Sequence, residues 1–461
     1  MSERRQSAFL VDLLQSIADR SRRLLGRDRV AAHGSAEAAE ITERLMSSQG
    51  EASGVMLATR LLHTWPEMDA GERLQWFSML AADYGPEPRR LQAAAEAWLA
   101  ERTGDAATGL HGAAEPRRQE LFRRINLAPG GTAALVAMRA ELLAILPERP
   151  ELAAVDVDLI HLFASWFNRG FLFLRPVNWS SPADTLEKII RYEAVHEING
   201  WEDLRRRLVP ADRRCFAFFH PQMPDDPLIF VEVALTRGAP DAIAPLLSDA
   251  RTPLDPAEAD TAVFYSISNT QAGLKGITFG SFLIKQVVEQ LAREVSSLRN
   301  FVTLSPLPGF AAWWATEASM PESRDDWAEA QERLAEIDDW TEIDNSLRAA
   351  VEPVLHAAAA TYLLSADGAK GRPIDPVARF HLGNGASLDR INAFADLSPN
   401  GLRQSWGVMV NYRYDLSSIE RNHEAYVANG TVACSTSVKR LATTRNGSAR
   451  RRPRRQADIP A

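Results

Sequence analysis

Apolar residues recur at close to the 3.6-residue period through the first third of the chain. The recurrence predicts helices over 37–48, 53–64, 71–83, 87–102, 116–126, 132–146 and 151–168. Breaks fall where glycine and proline gather, at Trp65-Pro66, Gly85-Pro86, Pro129-Gly130-Gly131 and Pro147 with Pro150. Thr132 follows two glycines and reads as the N-cap of its helix, since its hydroxyl can take up an otherwise unpaired helix N–H. No β-rich run interrupts the stretch, so residues 1–168 are expected to form a helical bundle domain.

The pattern changes after about residue 170. Phe171–Arg175 is short and apolar, as in a strand or a connector. Ser181, Pro182 and Asp184 read as an N-cap, a first helical residue and an acid favoured by the helix dipole. The runs Cys215–Phe219, Leu228–Leu235 and Thr261–Ser268 are β-branched and aromatic between turn residues, and predict strands. A helix is expected over 280–297 and a strand over 300–305. A helical insertion rich in acids and tryptophan follows over 323–365, then a strand over 377–382 and a helical, tyrosine-rich end. The expected fold class is therefore α+β: an all-α bundle, then a mixed α/β domain over 169–438.

Charge separates a third segment. The net charge is −8, but from Lys439 onward eight Lys or Arg face Asp458 alone, so 439–461 carries +7 and the remainder −15. That tail has too few apolar residues to fold and is expected to be disordered. So acidic a body argues against a nucleic-acid partner. No apolar run approaches the roughly 18–20 residues that cross a bilayer, so no membrane partner is expected. The first 29 residues mix arginines with Asp12 and Asp19 and hold no apolar core, unlike a secretory signal. Two cysteines, Cys215 and Cys434, make neither a disulfide framework nor a zinc motif, which suits a cytoplasmic protein.

Chemistry concentrates between Phe264 and Phe310, which reads strand, glycine-punctuated loop, helix, strand and proline-rich exit. Gly273, Gly276 and Gly280 let the backbone approach a bulky anion. The helix N-terminus behind them offers N–H groups and a partial positive charge, and Lys275 adds a full one. The combination suits a diphosphate, although glycine-rich loops also serve as plain turns. The spacing is neither GxxxxGK[ST] nor GxGxxG. The frame from Lys275 to Gly280 resembles the acyl-CoA pyrophosphate loop of GNAT acetyltransferases, with Thr278 where that loop has glycine.

Five blocks extend the resemblance: His220 to Pro224, Phe264 to Gln271, Leu304 to Phe310, Arg379 to Ala386 and Asn411 to Tyr414. In order and over about Glu193 to Tyr414 they resemble the signature blocks of the malonyl-CoA decarboxylase family. The resemblance implies a GNAT-like catalytic domain and a helical domain through which chains form a homo-oligomer, a dimer or tetramer. It implies conversion of malonyl-CoA to acetyl-CoA and CO2 without cofactor or metal. It assigns Ser305 and His381 as the catalytic pair. It places substrate binding on Lys275, Gly276, Ile277, Thr278, Phe279, Gly280 and Ser281, with Ser266 and Tyr414 also at the site. Some relatives carry an acid at the position of Thr278.

The residue types suit that reaction. Loss of CO2 leaves an enolate, whose oxygen needs preorganised donors worth about 3–4 kcal/mol each and whose carbon needs a proton. Histidine, with an ordinary pKa of about 6.5, is the natural acid near neutrality. His381 is accordingly expected to protonate the carbon, while Ser305 holds the departing carboxylate or relays to His381. Taken singly, Ser305 reads as a strand-end turn serine, His381 as a buried structural histidine, and Tyr412 and Tyr414 as core aromatics. Glu232 reads as a solvent-face residue of its strand, His220 as part of a turn, and Trp313, Trp314, Trp327 and Trp340 as packing. Two other functions remain open, a GNAT-type acyltransferase and a non-catalytic acyl-CoA sensor.

Overall fold

The computed structural model describes residues 34–48, 50–277, 279, 283–318, 325–337, 339–340, 343–364 and 372–443. Two compact units emerge. One takes Met1–Phe173, Phe219–Asp226 and Gln271–Phe279; the other takes Leu174–Phe218, Pro227–Thr270 and Gly280–Ala461.

The first unit is helical, with α1 (Gly34–Ser47), α2 (Glu51–Thr64), α3 (Ala70–Asp83), α4 (Pro88–Glu101), α5 (Gly104–Ala114), α6 (Arg117–Asn126), α7 (Gly131–Ile145) and α8 (Ala153–Trp166). Helix α3 opens on a capping box in which Asp69 accepts the Glu72 N–H at 2.8 Å and Glu72 accepts the Asp69 N–H at 3.0 Å. Trp65, Trp76 and Phe77 meet edge to face in its core. Helix α5 was not legible in the periodicity: its segment is mostly alanine and glycine and buries only Ala113. Thr132 is not the cap of α7. Gly130 holds that place in a left-handed conformation, and Thr132, inside the helix, donates to Asn126 Oδ1 at 2.7 Å.

The second unit carries a mixed sheet of β1 (Phe173–Val177), β2 (Arg213–Phe219), β3 (Ile229–Thr236), β4 (Thr261–Asn269), β5 (Asn300–Thr303), β6 (Ser305–Pro306), β7 (Ser387–Asn392) and β8 (Met409–Arg413). Its order is β1-β2-β3-β4-β5-β8-β6, with β7 on β8. Strands β2, β3 and β4 are antiparallel neighbours, whereas β4 and β5 run parallel. Its helices are α9 (Ala183–Tyr192), α10 (Trp201–Leu208), α11 (Ala244–Leu247), α12 (Leu283–Glu294), α13 (Phe310–Ala318), α14 (Asp325–Ala335), α15 (Asn345–Leu364), α16 (Pro376–Gly383), α17 (Pro399–Ser405), α18 (Ile419–Asn429) and α19 (Thr436–Thr443). The α+β class is as the sequence implies.

Several expectations change here. Residues 377–382 are helix α16, not a strand, because Asp375 caps them by accepting the Ala378 N–H at 2.8 Å and Pro376 fills the first turn. The tyrosine-rich end supplies strands β7 and β8. Ser181 is not the cap of α9; its Oγ accepts the Asn178 N–H, and Pro182 precedes the helix. The segment from Lys439 continues helix α19 to Thr443, so its first residues are folded; the rest of the expected tail lies outside the described residues. Among the described residues no helix is long and apolar enough to cross a membrane.

Candidate active site

The second unit opens a cavity where two parallel strands part. Strands β4 and β5 pair from Thr261↔Asn300 to Phe264↔Thr303, and the Leu304 N–H donates to Phe264 O at 3.0 Å. Strand β4 runs on to Asn269 without β5. Pro306 has no N–H to continue such a ladder, and Ser305 and Pro306 pair instead with Val410 and Met409 of β8. The resulting cavity, about 240 Å³, is lined by Val195, by Phe264, Tyr265, Ile267 and Asn269 of β4, by Leu304, Ser305 and Pro306, and by Pro376, Val377, Phe380 and His381 of α16. None of these residues is an Asp, Glu, Lys or Arg.

Ser305 and His381 meet there as the sequence implies. Ser305 Oγ lies 3.0 Å from His381 Nε2, and His381 Nδ1 lies 2.8 Å from the Tyr414 hydroxyl. Ser305 Oγ is also 2.8 Å from Thr303 Oγ1, which accepts the Tyr412 N–H at 3.1 Å. Thr303, Ser305, His381 and Tyr414 thus form one hydrogen-bonded chain whose members can each donate and accept. The Tyr412 ring stacks on His381 with centroids 4.6 Å apart. Asn411 donates to Thr303 O at 2.7 Å and fixes β5 against β8. Asp375 accepts the Tyr362 hydroxyl at 3.0 Å as well as capping α16, the helix that carries His381.

Burial changes the expected chemistry of the pair. It pulls His381 down to about 3, so the imidazole is neutral at physiological pH and is not the imidazolium acid expected from its ordinary pKa. Burial pushes the Tyr414 hydroxyl well up, so it keeps its proton.

Ser266 does not line this cavity. Its Oγ lies 2.7 Å from both carboxylate oxygens of Glu193, which also accepts the N–H groups of Val195 and His196 at 2.8 Å. Ser266 thus ties β4, whose Tyr265 and Ile267 line the cavity, to the segment that carries Val195. Glu232 lies fully buried across the sheet from Ser266, contrary to the solvent-face reading. Arg207 donates to it at 3.2 Å and to the carbonyls of His196 and Glu197 at 2.8 Å each.

The glycine-rich loop splits by role. In the first unit Gly273 packs on α7, where a Cβ would fall 1.8 Å from Val136 O, so its absence of side chain serves packing and not anion approach. Gly276 has φ +83° with open space where a Cβ would stand, and it and Lys275 are exposed, while Ile277 and Phe279 are buried. Thr278, Gly280 and Ser281 lie outside the described residues. His220 sits in a turn, its Nδ1 accepting the Gln222 N–H and its Nε2 3.1 Å from Trp166 O. Trp313, Trp314 and Trp327 pack with Phe310 and Tyr362. Among the described residues no group of three His, Cys, Asp or Glu is placed to hold a metal ion.

Sequence reasoning missed Thr303, Asp375 and Glu193. The Asp375-Pro376 pair was the legible signal for a cap; nothing local marked the other two.

Known proteins share both units. A family model described as the malonyl-CoA decarboxylase C-terminal domain matches residues 170–452, and its N-terminal counterpart matches 84–167. The mitochondrial malonyl-CoA decarboxylase of Rattus norvegicus is 34% identical over 408 residues, 81% of this chain and 82% of its own. That of Anser anser anser is 33% identical over 407 residues, 80% of each. The crystal structure of malonyl-CoA decarboxylase from Rhodopseudomonas palustris superposes with a TM-score of 0.84 at 52% identity, covering 88% of this chain and 99% of that one. The enzyme from Cupriavidus metallidurans gives 0.62 at 34% identity, covering 89% and 100%.

Proposed function

The chain belongs to the malonyl-CoA decarboxylase family and is a carboxy-lyase, and from that premise we propose how its own residues convert malonyl-CoA to acetyl-CoA and CO2. The observation that carries the proposal is the 3.0 Å contact of Ser305 with a neutral His381 in a cavity without charged lining. A malonyl carboxylate entering such a cavity loses its water without gaining a counter-ion. The CO2 and enolate that replace it shed or spread that charge, so the lining favours the transition state over the bound substrate.

The bond between the α-carbon and the carboxyl breaks, its electron pair passes into the enolate, and CO2 leaves. Ser305 Oγ–H donates to the developing enolate oxygen. A thioester enolate is basic enough to take a proton from a neutral N–H. Tyr414, donating at Nδ1, sets the tautomer in which Nε2 carries that proton. His381 delivers it to carbon, and water returns one to the chain when acetyl-CoA departs. The loop from Lys275 to Ser281 takes the diphosphate of CoA, with Lys275 as its cation.

The test is CO2 release from malonyl-CoA by wild type, Ser305→Ala and His381→Ala, with acetyl-CoA and any acylated amine identified by mass spectrometry. Each variant is expected to lose at least about 100-fold. A near-normal rate in either would remove this division of labour. An acylated amine would make the chain an acyltransferase, and unchanged substrate a sensor.

We also propose a cytoplasmic homo-oligomer joined through the helical unit. Two free thiols suit a reducing compartment. Helix α4 buries no residue and leaves Leu99 66% exposed, a face suited to a second copy. Sedimentation velocity is expected to give at least twice the 51.0 kDa chain mass; a monomer at micromolar concentration would exclude it.

A further inference from the structure

The helical unit contains an arginine that grips the glycine-rich loop. Arg139, on α7, is 1% exposed. Its Nη1 donates to Gly273 O at 2.6 Å and to Lys275 O at 2.9 Å, while its Nε donates to Asp156 Oδ1 on α8 at 2.7 Å. The fit is close: with any side chain at residue 273 the loop would meet the Val136 carbonyl of α7.

A diphosphate is recognised by N–H groups and cations, and the lone pairs of backbone carbonyls repel it. A loop that turns through 273–277 must send some carbonyls toward its ligand unless something draws them away. Here the two carbonyls flanking Leu274 go to a buried guanidinium. The chain then reverses at Gly276, whose positive φ no other residue adopts without strain.

We infer that Arg139 is a positioning residue for substrate binding: by holding the Gly273 and Lys275 carbonyls, it keeps these two acceptors from the CoA diphosphate and fixes the loop that presents Lys275 and Gly276 to it. The helical unit, to which residues 271–279 belong, then takes part in binding the diphosphate and is not solely an oligomerisation module. This inference rests on the assignment of the loop to the diphosphate.

The experiment compares malonyl-CoA with malonyl-pantetheine, which carries the same reacting group without the nucleotide and its phosphates. In wild type, malonyl-CoA is expected to have the lower KM by at least about tenfold. In Arg139→Lys, the KM for malonyl-CoA is expected to rise about tenfold with kcat changed less than threefold, while both constants for malonyl-pantetheine stay within twofold. Asp156→Asn, a milder change that leaves Arg139 in place, is expected to shift the same KM in the same direction by about threefold; it gives the reading should Arg139→Lys not fold. A wild type indifferent to the nucleotide overturns the loop assignment and this inference together. A wild type that prefers malonyl-CoA, with variants that keep the preference or lose activity equally on both substrates, overturns the role of Arg139 alone.

Discussion

Each unit uses a buried arginine to hold an irregular segment, and the two differ in how their acids are treated. Arg139 ties down Gly273 and Lys275, and its partner Asp156 keeps 15% of its side chain exposed. Arg207 ties down His196 and Glu197, next to the Val195 wall of the cavity, and shares its charge between Asp203 and Glu232. Glu232 has no exposed surface, and its Oε1 finds no partner. Burial, with Glu193 nearby, pushes its pKa up to about 8 in spite of Arg207. A guanidinium suits both places because its fork of donors reaches two carbonyls and an acid at once. Water access to the acid decides how much depends on the cation.

Removing the cation separates the two cases most strongly. Above pH 8, where Glu232 is ionised in the wild type, Arg207→Met leaves two carbonyls without their donor and Glu232 buried without its counter-charge, a loss of about 3–5 kcal/mol for a broken buried pair. The melting temperature of the second unit should fall by roughly 10 °C. Arg139→Met also strips two carbonyls, but Asp156 can turn to water, so about 1–2 kcal/mol and less than half that shift are expected. Thermal melts of both variants, followed by tryptophan fluorescence, provide the check. Equal shifts would mean that the acid's hydration is irrelevant and would end the comparison.

What the sequence disclosed follows the same division. Periodicity locates most helices of the first unit, because burying one face of a helix leaves a repeating trace. It passes over α5, whose alanines and glycines bury almost nothing. The signature blocks bring Ser305, His381 and Tyr414 to one place although 76 and 33 residues separate them along the chain. The helix beneath His381 was misread as a strand because its apolar residues are too few to show a period, and Asp375-Pro376 was the better guide. The surroundings of Ser266, Gly273 and Glu232 were not legible in the sequence for a common reason. Pattern reports whether a position is covered, whereas a polar residue's task depends on which partner covers it. For these three the partners are Glu193, the Val136 carbonyl and Arg207, at 73, 137 and 25 residues' distance in sequence.

The subtler difference between the two regions is their response to pH. Glu232 has an ordinary carboxyl pKa of 4.5 when unfolded and about 8 when folded, so between those values the folded chain holds a proton that the unfolded chain has released. Stability must therefore fall as pH rises through that window, by up to about 1.4 kcal/mol per unit. Its charged neighbours do not mask the effect above pH 6.5. Arg207 stays protonated, and Cys215 and Tyr265, both pushed up by burial, keep their protons. His381 and His196, lowered to about 3 and about 4, act in the opposite sense: they cost stability only as pH falls below about 6.5. In wild type the melting temperature of the second unit should thus drop by roughly 3 °C per unit between pH 6.5 and 8. Glu232→Gln keeps an oxygen for Arg207 but cannot titrate, and should flatten that slope. Asp156→Asn, which alters the hydrated acid of the other clamp, should leave the slope unchanged. A slope that survives Glu232→Gln would place the titrating group elsewhere and reduce the two arginine clamps to the same device.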